Sequence, residues 1–367
     1  MNLARLAMLV VLAGCASTPQ KTMYLTLQEW QEALRSRGVD AASVPFPLSV
    51  TEEMRVEARR IAGPGSPPEQ LARLQQSLFN PEWFPFQYEN RSTLTSAEAF
   101  YRRQGNCLSF TNMFVALGRS LGAPLTTGMV TRVRGSEREG DLIVVNTHVI
   151  AVLTYAGGST FYDFDVSRDK RPSAVKLLDD LWITALFLNN KGADELRAGR
   201  PDIALLQFQN AVKLAPEFAG AWGNLGVTQR RLGDVSAAFA AYERALALEP
   251  DNPTVLTNVA AIYRSLGKDM EADRALTAGS LSRASPHVLI VRGDLELARG
   301  RPDVALQLYN RARRANPELV EAWVAKAKAQ LALGKRSAAR RSLVRAITLS
   351  PQDPTALALL AGMGSGA

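Results

Sequence analysis

Apolar residues recur at helical spacing along most of the chain, and the points where that spacing fails divide it into parts. Residues 27–37, 51–61 and 68–78 each carry apolar positions three or four apart, which predicts three amphipathic helices. Pro45, Pro47 and Gly63-Pro64-Gly65 separate them. Trp83, Phe84, Phe86 and Tyr88 follow as expected core anchors. From Cys107 onward, Phe110, Phe114, Leu117 and Leu121 fall on one helical face. Gly105-Asn106 supplies a break and an N-cap before that helix, and Gly122-Ala123-Pro124 ends it. The period then shortens. Residues 142–145 and 147–155 read as strands, Gly157-Gly158 as a turn and residues 160–165 as the return strand. Pairing across that turn allows two registers. Asp165 is opposite His148 in one and diagonal to it in the other, and in both it is nearer to His148 than Asp163 is.

The second half repeats itself. Pro216 and Pro250 lie 34 residues apart, as do Pro317 and Pro351. One unit carries Trp222, Leu225-Gly226, Gly233, Ala238, Tyr242, Ala245 and Pro250, and similar sets recur before and after it. Small residues let paired helices approach, large ones fill the gap between them, and Gly and Pro end the helices. These positions resemble the tetratricopeptide consensus. The resemblance implies five repeats over residues 185–353, an all-α solenoid that binds a protein partner, and a cap and tail at 354–367.

With 43 Lys+Arg against 35 Asp+Glu, the net charge is +8. Ten basic and two acidic residues fall between Arg311 and Arg345, an excess equal to that of the whole chain. An acidic partner, anionic lipid or a polyanionic polysaccharide would be attracted to such a stretch, although a solvated helix face is the plainer expectation. Nucleic acid is not expected, because the start of the chain reads as an extracytoplasmic address, taken up below, and the stretch holds a single aromatic residue rather than an interleaved set. Two Cys and two His leave little for a transition-metal centre, so neither metal nor cofactor is expected.

At the start, Arg5 precedes a short apolar run, which closes on Leu12-Ala13-Gly14-Cys15 before a polar segment. The four residues resemble the lipobox of bacterial lipoproteins. That resemblance implies a signal peptide over 1–14, lipidation of Cys15, and a protein tethered to the periplasmic side of the outer membrane. Cys107 is then the remaining thiol. At the N-terminus of its helix the macrodipole is expected to favour thiolate, and free N–H groups to hold an oxyanion.

Several features together resemble the transglutaminase-like branch of papain-type thiol enzymes. They are Gly105-Asn106-Cys107, the helix carrying Leu117, Arg119 and Leu121-Gly122-Ala123-Pro124, the strand opening on His148, and Phe161-Tyr162 with Phe164-Asp165. The resemblance implies an α+β domain and a triad of Cys107 as nucleophile, His148 as base and Asp165 as orienting acid, with Asp163 as the alternative acid. It implies acyl transfer at an amide bond of a peptide or protein substrate, with water or an amine as acceptor. Whether Tyr101 or Gln104 completes an oxyanion hole is left open. The expected organisation is therefore a signal at 1–14, a tether and lead-in helix at 15–44, a transglutaminase-like domain at 45–184, and the repeats. The alternative is an inactive domain serving with the repeats as an assembly scaffold.

Overall fold

The computed structural model describes residues 24–78, 80–89, 92–130, 136–139, 142–145, 148–155, 158–163, 175–250, 252–281 and 286–363. Cys15, Asp165 and the turn residue Gly157 lie outside them.

The three lead-in helices are α1 (Leu27–Ser36), α2 (Glu52–Ala62) and α3 (Pro67–Leu78). Thr26 caps α1 reciprocally with Glu29, satisfying donors at a helix start that have no partner within the helix. Their buried faces are Trp30 and Leu34, then Met54 and Ala58, then Leu71, Leu74 and Leu78. Of the four aromatic anchors, Phe84 is buried, but Trp83 and Tyr88 are exposed. A two-residue parallel pair, β1 (Gln87–Tyr88) with β2 (Gln104–Gly105), brackets the short helix α4 (Ser96–Arg102).

Helix α5 (Cys107–Ser120) is the central post of the N-terminal half and is buried from Leu108 to Gly118. It packs against α2, α3 and α4 and against the sheet. A methyl group at Gly118 would meet Leu125 Cδ1 at 2.3 Å and Leu71 Cδ2 at 2.8 Å, so this glycine lets the helix approach both neighbours.

The sheet has four antiparallel strands in the order β7 (Gly158–Tyr162), β6 (His148–Tyr155), β3 (Leu125–Val130), β8 (Val175–Leu178). Strands β3 and β8 were not anticipated: residues 125–130, Leu-Thr-Thr-Gly-Met-Val, do not alternate between apolar and polar. A separate hairpin joins β4 (Ser136–Glu139) to β5 (Leu142–Val145).

Helix α6 (Asp180–Arg197) opens an array of helical pairs: α6 with α7 (Pro201–Leu214), α8 (Ala219–Arg231) with α9 (Val235–Leu248), and α10 (Pro253–Ser265) with α11 (Asp269–Leu281). Then come α12 (Pro286–Ala298) with α13 (Pro302–Ala315), and α14 (Val320–Ala332) with α15 (Arg336–Leu349), followed by α16 (Pro354–Gly362). Within pairs, glycine meets an aromatic ring. A Cβ at Gly192 would lie 2.8 Å from Phe208, one at Gly226 2.5 Å from Tyr242, and one at Gly293 2.3 Å from Tyr309. Where alanine takes the glycine's place, at Ala260 and Ala327, the facing large residue is Leu276 or Leu343.

The two halves share one apolar cluster running from Trp30 through Phe114 and Phe187 to Tyr242 and Ile262. Polar contacts reinforce the junction. Trp30 Nε1 donates to Thr184 Oγ1 at 2.9 Å. Arg119 grips Asp180 through two hydrogen bonds of 2.9 and 3.0 Å, and Leu25 N–H donates to the same carboxylate at 2.8 Å. Asp180 is buried, so this paired arrangement meets the requirement that a buried charge be partnered.

Candidate functional site

Cys107 is the first residue of α5, and the chain before it is built to place it there. Gly105 has φ +148, and a Cβ at that position would lie 2.6 Å from Ser109 Cβ, so a side chain is excluded on both counts. Asn106 then caps the helix, its Oδ1 accepting from Ser109 N–H at 3.0 Å while its Nδ2 donates to Thr93 Oγ1 at 2.7 Å. Ser109 Oγ receives Leu94 N–H at 2.8 Å. The cap is thus tied to the preceding loop as well as to its own helix.

The same helix docks on the strand that carries the histidine. Thr111 Oγ1 donates to the carbonyl of Val149 at 3.1 Å, one residue after His148. Hydrogen bonds to the Cys107 sulfur come from the backbone N–H groups of Val149 and Leu108. Thiol and histidine strand are therefore neighbours, although 41 residues separate Cys107 from His148 in sequence.

His148 Nε2 lies 2.7 Å from Asp163 Oδ2. Pairs along β6 and β7 run from Tyr155↔Gly158 to Ala151↔Tyr162. Asp163 is the next residue, at the position facing Ile150, diagonal to His148 on the same side of the sheet and within reach of its ring. Of the two registers, the described pairs follow the one whose turn lies one residue earlier, and the carboxylate seen against the imidazole is that of Asp163. The Asp163 carbonyl accepts from Gln75 Nε2 at 3.1 Å, so α3 fixes the point where the chain leaves the strand. Gln75, Phe110, Thr111, Phe114, Ala151, Tyr162 and Asp163 line a small recess beside this contact. Gln75 was not read from the sequence; 88 residues separate it from its partner and nothing local marks it.

Electrostatically the thiol departs from expectation. Burial pushes Cys107 up, the N–H groups of Val149 and Leu108 pull it down, and the Asp163 carboxylate raises it again. The net direction is upward, with burial the largest cause, which favours the neutral thiol. A nucleophile in that state needs a base. An imidazole whose Nε2–H donates to Asp163 presents the lone pair of Nδ1, which is the tautomer a base requires. Tyr101, considered for an oxyanion hole, is engaged elsewhere: its hydroxyl lies 2.8 Å from Thr51 Oγ1 and 3.0 Å from Glu53 Oε2. Among the described residues no group of three or more His, Cys, Asp or Glu side chains is placed to hold a metal ion. No helix among them is long and apolar enough to cross a membrane.

Comparison with known proteins addresses the second half. The family model described as tetratricopeptide repeat matches residues 189–253 and 290–356. Over those residues the helical pairs match the tetratricopeptide repeat, and α10 with α11 falls between the two matched stretches. The relatives by sequence include the human protein O-mannosyl-transferase TMTC1, 30% identical over 151 residues, 38% of this chain and 17% of the relative. The peroxisomal targeting signal receptor of Yarrowia lipolytica is 38% identical over 74 residues, 20% of this chain and 12% of the receptor. The Hsp70-Hsp90 organizing protein of Triticum aestivum is 36% identical over 67 residues, 18% of this chain and 12% of that protein. This chain thus spans less than a fifth of the length of each of these relatives. Among solved structures, a thermophilic TPR protein of Thermus thermophilus aligns over 49% of this chain and 98% of its own, at 22% identity and a TM-score of 0.41. The Pseudomonas aeruginosa pilF structure aligns over 49% of this chain and 82% of its own, at 20% identity and a TM-score of 0.40.

Proposed function

We propose that this chain is a scaffold lipoprotein that engages a partner protein through its tetratricopeptide array, over residues 185–353. The observation that carries this reading is the stack of five helical pairs, because stacked repeats present an extended concave surface of the kind used for binding. The Leu12-Ala13-Gly14-Cys15 segment supports a lipid tether at Cys15 and a place on the periplasmic side of the outer membrane. Deleting residues 185–353 is expected to abolish partner retention in cross-linked membranes, and Cys15→Ser to release the chain from them. Retention that survives the deletion would overturn the reading.

A second reading is supported by the 2.7 Å contact between His148 and Asp163 beside the Cys107 helix terminus. Under it, residues 45–184 form a papain-type, transglutaminase-like thiol domain acting on an amide of a peptide or protein. His148 Nδ1 takes the thiol proton as sulfur attacks the carbonyl carbon. The amine departs with that proton, leaving a thioester, which water or a second amine then opens. Asp163 holds the ring, while Asp165 is the other carboxylate that the sequence offers for this role. The readings separate on Cys107→Ala: as a scaffold the variant keeps the wild-type cellular phenotype, and as an enzyme it behaves like a deletion. Alkylation of Cys107 against pH, in protein lacking residues 1–15, gives a direct test. Reactivity near neutral pH that His148→Ala removes favours the enzyme; a slow thiol indifferent to His148 favours the scaffold.

A further inference from the structure

The last two helical pairs hold a group of cations that repeat architecture does not require. Trp222 in the second pair and Trp323 in the fifth are seated alike, with Nε1 donating to the carbonyl of Pro216 at 2.9 Å and of Pro317 at 2.8 Å. Three residues after the first tryptophan stands Leu225, buried at 5% exposure. Three residues after the second stands Lys326, a charge at a packing position. Its ammonium lies 5.3 Å from the centre of the Trp323 ring, and the Arg313 guanidinium from α13 lies 5.1 Å from the same centre. Both side chains are half-buried, and Arg313 Nε is a buried donor with no hydrogen-bond acceptor. Arg341 on α15 completes the group, near enough for its charge, with that of Arg313, to act on Lys326; burial and these two neighbours hold the ammonium below its ordinary range. Among the described residues no carboxylate is paired with any of the three.

We propose that Arg313 and Lys326 beside Trp323, with Arg341 at the exposed edge, form a binding site for a carboxylate side chain of an acidic peptide segment of a partner protein. This rests on the reading that the array binds protein and names the chemistry it selects. Three cations gathered from consecutive helices repel one another, and an unpaired buried donor is costly; an anion relieves both. Arg313 and Lys326 are half-buried beside an indole, with Arg341 exposed at their edge, so a single side chain reaches between them where a flat lipid surface does not. The wider basic excess from Arg311 to Arg345 would steer an acidic segment toward them.

The test uses the full chain with fluorescein-labelled hexaglutamate, read by polarisation at two salt concentrations. Lys326→Leu restores the residue that the second pair already carries, so the variant is expected to fold, and far-UV circular dichroism checks that it does. Lys328→Gln, on the same helix but exposed, is the matched charge control. Expected is saturable binding that weakens with salt, loses about tenfold in Lys326→Leu and changes less than twofold in Lys328→Gln. Equal losses in the two variants would mean a diffuse basic face and overturn the proposal. Binding of phosphatidylglycerol vesicles or inorganic polyphosphate that depends on Lys326, without binding of hexaglutamate, would overturn it in favour of another anion. If hexaglutamate fails while the wild-type array still retains a partner independently of Lys326, the site fails and the protein-binding reading stands. If no partner is retained either, both fall.

Discussion

Replacing Gly226 with alanine tests the packing logic of the array, because two opposing effects can be weighed against each other. A methyl group there would sit 2.5, 2.7 and 2.9 Å from three carbons of the Tyr242 ring. That ring is fully buried. Overpacking of this kind costs about 1–3 kcal/mol, and with three contacts under 3 Å the upper part of the range applies. Alanine returns about 1 kcal/mol through its better helix propensity. The expected net loss is about 1–2 kcal/mol. In a Tyr242→Leu background the obstacle is gone, and the same substitution is expected to stabilise by up to about 1 kcal/mol. The third and fifth pairs already contain that combination, as Ala260 with Leu276 and Ala327 with Leu343. A double-mutant cycle by urea unfolding, followed by circular dichroism, should return a coupling of about 2–3 kcal/mol. Equal effects of Gly226→Ala in the two backgrounds, within about 0.5 kcal/mol, would refute the argument that ring and glycine were fitted to each other.

Breaking the Arg119–Asp180 pair should be severe: Arg119→Ala leaves a buried carboxylate unpaired and is expected to cost about 3–5 kcal/mol in thermal or urea unfolding, while a paired Arg119→Met, Asp180→Leu change should cost much less. Glu29 and Glu69 are held below the ordinary carboxylate range by hydrogen bonds from Thr26 and Ser66, so they add stability above that range and lose it as pH falls through their lowered values. Glu29→Gln with Glu69→Gln should therefore flatten the unfolding profile between about pH 5 and pH 3. Within the thiol reading, Asp163→Asn should slow Cys107 alkylation near neutral pH more than Asp165→Asn does. Gln75→Ala should act in the same direction as Asp163→Asn but more weakly, since it frees only the backbone that holds that residue.

What the sequence made legible was local. The lead-in helices end within a residue or two of their expected limits because caps and apolar spacing lie inside each segment, as with Thr26 and Glu29 or Trp30 and Leu34. The repeats were legible because each unit restates the same constraints. What escaped depends on contacts between distant segments. Strand β3 is central to the sheet, but its partners at residues 148–153 and 175–178, not its own pattern, make it a strand. The contact of Gln75 with the Asp163 carbonyl, across 88 residues, carries no local signal either. The thiolate expectation counted the helix terminus and left out burial, which is the larger effect at Cys107. Lys326 looked like one of many solvated lysines until the register of the repeats set it in the place of Leu225.

The apolar cluster that links Trp30 to Ile262 has a consequence for how this molecule comes apart. Buried residues from Leu289 onward fall in other clusters: Val291 joins Ala260, Ala272 and Leu276 in a small one at the boundary, and the rest gather around Tyr309 or Leu343. Cooperativity follows shared burial, so the lead-in helices, the sheet and the first repeats should open as one unit while the distal pairs fray on their own. Native-state hydrogen exchange would then report two levels of protection, with α6 in the slow class throughout its length and α14 and α15 in the fast one. In that hierarchy a partner docking on the distal repeats would order the part of the molecule with the most freedom to lose, leaving the rigid unit around Cys107 undisturbed.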